Sequence, residues 1–117
     1  MQREELVAYC LAKAGVEETY PWGEAELVAK VGGKAFAFIG LDGGTVGVKC
    51  GRTAEEAAEW RQRYPGAITA SSYIGRYGWN AVDWTGQVPD DDVRELVDAS
   101  YDAIVAALPK GRRPAAG

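Results

Sequence analysis

The chain has 117 residues, 47% hydrophobic and 26% charged, which is the size and balance of one globular domain and too little for two ordinary cores. It contains no histidine, which excludes Ser-His-Asp and Cys-His catalysis, His-ligated zinc and imidazole proton transfer near neutral pH. The net charge of −4 argues against nonspecific nucleic-acid binding by the chain as a whole, yet it is unevenly spread. Residues 1–26 carry two Lys/Arg against six Glu, residues 27–84 seven against five Asp/Glu, and residues 85–117 four against six, or −4, +2 and −2.

Residues 2–14 predict a helix, with Leu6, Val7, Cys10, Leu11 and Ala14 on one apolar stripe and Gly15 as its left-handed stop. "EETYPWGEAE" (17–26) reads as a connection, because Pro21 and Gly23 break both helical and strand periods. Three antiparallel strands follow over 26–49: "ELVAKV", "KAFAFIGL" and "TVGVK". The turns Gly32-Gly33 and Asp42-Gly43-Gly44 supply the positive φ that tight hairpins need. Strand alternation puts Phe36 and Phe38 on one face and Ala35, Ala37 and Ile39 on the other. Thr53 and Glu56 form a capping-box signature for a helix over 53–64, ended by Pro65-Gly66. "AITA" (67–70) and "WNAVDW" (79–84) predict two more strands, with "SSYIGRYG" (71–78) as the loop between them. The last helix covers 91–108, its stripe being Val93, Leu96, Val97, Ser100, Tyr101, Ile104, Val105 and Leu108. Asp90, Asp91 and Asp92 suit its positive N-terminus better than a metal site. "KGRRPAAG" (110–117) has the composition of a disordered basic tail. The order α-β-β-β-α-β-β-α predicts a two-layer α+β fold: a five-stranded antiparallel sheet with helices on one face, in a single domain over 1–109.

No apolar run approaches the ~20 residues of a membrane span, and the N-terminus lacks a signal-peptide core, so a cytoplasmic protein is expected. Cys10 and Cys50 fit no CxxC spacing and read as reduced, buried thiols. No constellation of catalytic residues stands out, so no enzyme, metal or cofactor is expected.

Three stretches, "YPWGEAELVAKVGGKAFAFI" (20–39), "YIGRYGWNAV" (73–82) and "LVDASYDAIVAALPK" (96–110), together resemble the MmcQ/YjbR family of small bacterial proteins. The resemblance spans nearly the whole chain. It implies an α-β(3)-α-β(2)-α fold, similar to type III secretion chaperones and to frataxin-like proteins. It also implies DNA binding through hairpin loops acting as paired wings. Relatives often carry a His before the motif Trp, where this chain has Gly78, so any contact made by that His is absent.

Candidate binding residues follow from charge and loop placement. Lys30 and Lys34 flank the Gly-Gly turn, and Lys49 and Arg52 follow the third strand. Tyr73 and Tyr77 bracket Arg76 in a glycine-containing loop, where rings can stack on bases and the guanidinium can meet phosphate. The plain alternatives are solubility and edge protection for the lysines, and incidental exposure for the tyrosines. Trp22 serves either as a stacking residue at a groove edge or as a plug under its connection. Trp60 and Tyr64 read as packing between helix and sheet. Trp79 and Trp84, five apart, face opposite sides of a regular strand, so one belongs to the core. The glycine-rich turns lack the spacing of a phosphate-binding loop. Glu4, Glu5, Glu17, Glu18, Glu24 and Glu26 form no ordered iron-ligand set. Two functions remain: a DNA-binding module, weak and salt-sensitive, or a protein-interaction or chaperone-like module. Either would be a monomer or weak dimer with no membrane role.

Overall fold

The computed structural model describes residues 1–114. Helices α1 (Arg3–Leu11), α2 (Ala54–Arg63) and α3 (Asp90–Ala107) pack with a sheet of six strands. These are β1 (Val16–Thr19), β2 (Glu26–Val31), β3 (Lys34–Gly40), β4 (Thr45–Lys49), β5 (Ile68–Ala70) and β6 (Trp79–Asp83). Their spatial order is β1-β2-β3-β4-β6-β5, every pair antiparallel. The α+β class and the antiparallel sheet agree with the sequence reading. The sheet gains one strand, because β1 occupies the start of the expected connection. As an edge strand it exposes Glu17 and Glu18, so it lacks the apolar alternation that marks an inner strand. No described helix is long and apolar enough to cross a membrane.

The expected alternation of β3 fails at one residue. Ala29 pairs with Ala37 and Lys30 with Ala35, so Phe36 is the extra residue of a bulge. Phe36 therefore joins Ala37 and Ile39 in the core, while Phe38 stays on the opposite face. A bulge leaves backbone groups off the ladder, and Ser100 meets them. Its hydroxyl donates to the Phe36 carbonyl at 2.6 Å and accepts the Lys49 N–H at 2.9 Å. Tyr101 meets the Phe36 ring edge-on and donates to the Ala14 carbonyl. On α3 the deep stripe is Val93, Leu96, Val97 and Ser100, whereas Tyr101, Ile104 and Val105 are half-buried at its margin.

Polar anchors fix the remaining helices. Asp98 accepts from Tyr9 and pairs with Lys13, joining α1 to α3. Buried Asn80 accepts from Arg61 and donates to the Ala57 carbonyl, joining β6 to α2. Thr53 caps α2 as expected, but Glu56 accepts from the Arg52 N–H, one residue beyond a capping box. The three aspartates at the head of α3 have separate partners: the N-terminal amine for Asp90, Arg94 for Asp91 and the Tyr64 hydroxyl for Asp92. Trp84 is the core tryptophan and Trp79 lies on the far face; Trp60 and Tyr64 stack and are half-buried against the core. Cys10 and Cys50 are free and buried, and burial pushes their thiols up to about 12 and about 11. The expected disordered tail, 110–117, begins instead as a 3-10 turn over Lys110–Arg112, and Arg113 donates to the Leu108 and Ala106 carbonyls at the end of α3. Residues 115–117 of that stretch lie outside the described residues.

Candidate functional site

The helices cover one face of the sheet and leave the other to the loops. Cross-strand register sorts this open face into rows, since paired residues point the same way. One row runs Glu17, Lys30, Ala35 and, past the bulge, Lys49 and Trp79. The next runs Thr19, Val28, Phe38, Gly47, Ala81 and Thr69. A third holds Glu26, Gly40, Thr45 and Asp83. Charge thus changes sign along the strands.

The basic end gathers most of the cations expected from sequence. Lys34 begins β3 beside the Gly32-Gly33 tip, and Lys49 ends β4 opposite Trp79. The 3-10 turn Gly75–Tyr77 leads directly into β6, tied there by the Cys50 N–H to Gly78 carbonyl bond at 2.7 Å. Arg76 lies over the Tyr77 ring, 4.9 Å from its centre. Gly78 has φ +91, a backbone that disfavours any larger residue. The turn after α3 brings in Lys110 and Arg112, which composition alone had assigned to a tail. A Cβ on Gly32 would sit 2.5 Å from Leu108 Cδ1 and 2.9 Å from the Arg112 carbonyl, so the hairpin tip and this turn are in close contact. The signal available in sequence was "LPKG", a Pro-x-Gly turn.

These cations are not equally free. Among the described residues, none of Lys30, Lys34, Lys49, Arg52, Arg76, Lys110 and Arg112 forms an ion pair. Lys30, however, pairs across the ladder with Glu17. Arg52 shares a shallow depression with Glu56 and Asp102. Lys34, Lys49 and Arg76 are the least offset of the predicted five.

Toward the other end lies an aromatic hollow of about 450 Å³, bordered by Trp22, Glu26, Phe38, Gly47 and the loop 71–74. Trp22 is 70% exposed and stacks on Phe38 with ring centres 6.0 Å apart. It is therefore a groove-edge residue and not a plug. Phe38 also meets Trp79 edge-on at 5.5 Å. Gly47 makes room for this cluster, since a Cβ there would stand 3.4 Å from that of Phe38. Tyr73 is 95% exposed and has φ +65, outside the range an L-residue prefers. Tyr77 points elsewhere, with Arg76, so the loop splits its two tyrosines between the two surfaces. The sequence groups Tyr73, Arg76 and Tyr77 in one loop, whereas Tyr73 borders the hollow and Arg76 and Tyr77 do not. Among the described residues no group of three or more Cys, Asp or Glu is placed to hold a metal ion.

Comparison with known proteins agrees with this architecture. The YjbR family model matches residues 11–103. Protein YjbR of Escherichia coli K12, whose function is uncharacterised, is 30% identical over 115 residues, covering 97% of this chain and 95% of that protein; its counterpart in strain O157:H7 matches equally. The crystal structure of Deinococcus radiodurans DR2400, with a DUF419 domain, superposes with a TM-score of 0.83 at 24% identity, covering 93% of this chain and 83% of that one. A Pseudomonas syringae protein superposes with a TM-score of 0.68 at 18% identity, covering 86% and 96%. Both structures speak to the fold alone.

Proposed function

The chain belongs to the YjbR family, and we propose that it is a small non-enzymatic DNA-binding module that engages phosphates with the basic end of its sheet. The observation that carries this reading is charge segregation. A chain of net charge −4 presents Lys34, Lys49, Arg76, Lys110 and Arg112 at one end of the sheet, none of them in an ion pair among the described residues. The β2–β3 hairpin tip and the 3-10 turn Gly75–Tyr77 lie at that end, which suits them to serve as the paired wings the family resemblance implies. Two buried thiols suit a reducing compartment, which supports a cytoplasmic site of action.

With so few cations the complex is weak and strongly salt-dependent, each phosphate contact adding roughly 0.9 to the log–log slope on duplex DNA. The test is fluorescence anisotropy of labelled duplex and single-stranded DNA across a salt titration. Arg76→Ala should lower the slope by about one contact. Tyr77→Ala should weaken binding and leave the slope unchanged, because stacking releases few ions. Absence of binding by the intact protein at low salt would refute the proposal and favour a protein-interaction module.

A further inference from the structure

The aromatic hollow has the wrong charge for DNA. Among the described residues its ionisable lining groups are the Glu26 carboxylate and the Tyr73 phenol, and no Lys or Arg borders it. Glu26 takes part in no ion pair among the described residues. Glu24 and Asp42 lie in the loops at the same end of the sheet. Three aromatic rings, Trp22, Phe38 and Tyr73, border the hollow, and the faces of such rings carry negative potential.

We infer that this hollow binds a quaternary ammonium group, a site distinct from the basic end proposed to meet DNA. Rings and a carboxylate around one open cavity attract a cation from several sides. The choice among cations follows from hydrogen bonding. A primary ammonium or a guanidinium would surrender water from several N–H groups, and the hollow offers one carboxylate and the Ser71 and Ser72 hydroxyls in return. A quaternary ammonium has no N–H to leave unpaired. Its methyl groups pack on rings while its charge faces Glu26. A phosphate or carboxylate would be repelled by Glu26, and an uncharged ligand would cover that carboxylate without compensation.

The local backbone supports a binding role. Tyr73 holds φ +65 yet buries almost none of its ring, so the left-handed conformation is not offset by packing. Trp22 likewise leaves most of its surface to solvent while one face rests on Phe38. Both rings stand where a ligand could reach them.

The experiment is a ¹H–¹⁵N NMR titration of the whole protein with choline, and in parallel with 3,3-dimethylbutanol, its uncharged isostere. Choline should shift the Trp22 indole and the Gly47 and Tyr73 amides along one saturable curve, and the isostere should bind at least ~tenfold more weakly. Glu26→Gln should weaken choline binding several-fold, and Trp22→Ala should reduce it at least ~tenfold. Trp22 is exposed, so its removal leaves the core intact, which an unchanged amide spectrum away from the hollow will verify. Equal binding of choline and the isostere would overturn the inference, as would shifts that map to the basic end or persist in Trp22→Ala. The outcome is independent of DNA binding, which relies on other residues.

Discussion

Ser100→Ala tests whether the β3 bulge depends on one hydroxyl. In the native structure Ser100 Oγ donates to the Phe36 carbonyl at 2.6 Å and accepts the Lys49 N–H at 2.9 Å, and the residue is fully buried. Alanine fits the space but strands one acceptor and one donor where water has poor access. An unsatisfied buried group costs about 1–3 kcal/mol, so the pair should cost about 2–4 kcal/mol after local relaxation. Urea unfolding followed by tryptophan fluorescence reads this directly, as a lowered midpoint with an unchanged m-value. Amide exchange at Lys49 should quicken at the same time. A loss below about 0.5 kcal/mol, the range of ordinary surface substitutions, would show that the bulge is held by other contacts.

Three further perturbations have defined outcomes. Leu96→Ala empties a buried site and should cost about 2–5 kcal/mol, while half-buried Ile104→Ala should cost under about 2 kcal/mol; equal losses in urea unfolding would contradict the margin placement of Ile104. Gly32→Ala should destabilise more than Gly33→Ala, since both have positive φ but only Gly32 would drive a Cβ into Leu108 and the Arg112 carbonyl. Thiol ionisation should weaken the fold in alkali: the unfolded thiols titrate near 9.0 whereas burial keeps Cys10 and Cys50 protonated to about 12 and about 11, so stability falls as pH rises above 9. By pH 10 each thiol removes about 1.4 kcal/mol, and a urea midpoint that is flat from pH 8 to 10 would refute this.

Much of the fold was legible because local signals agreed with it. Glycine pairs marked the hairpins, Thr53 marked a helix start, and the stripe of α3 marked its buried side. What failed needed tertiary information. Strand alternation assumes an unbroken period of two, and only the partner strand reveals that Phe36 is an extra residue. Strand β1 was hidden because an edge strand is free to be acidic. The turn at Lys110–Arg112 was hidden because Leu108 and Arg112 around it pack on Gly32, far earlier in the chain, which composition cannot show. The candidate site was legible as a list of cations and less so as an arrangement. Lys34, Lys49 and Arg76 lie toward one sheet end, whereas Arg52 and Lys30 have carboxylates beside them. Tyr73 and Tyr77, four residues apart in one loop, border different surfaces.

The motifs that carry the family resemblance divide by physical role, and the division separates fold from function. Ser100 and Tyr101 of the "DASYDAI" stretch hold the Phe36 bulge. Leu108 and Gly32 meet where the first hairpin rests on the end of α3. Gly78 supplies a positive φ ahead of β6. Each of these has a sufficient structural reason to be what it is, so their presence argues for the fold and says little about a ligand. Trp22 of "YPWG" is different: it covers one ring and exposes 70% of its surface, and little in its packing requires the largest side chain at that position. Lys49 is similar, standing beside Trp79 in a row where an uncharged strand residue would serve the sheet equally well. Residues whose identity the packing leaves unexplained are where binding chemistry is to be sought, and here they fall at two ends of one open face, cationic at one and aromatic with a carboxylate at the other.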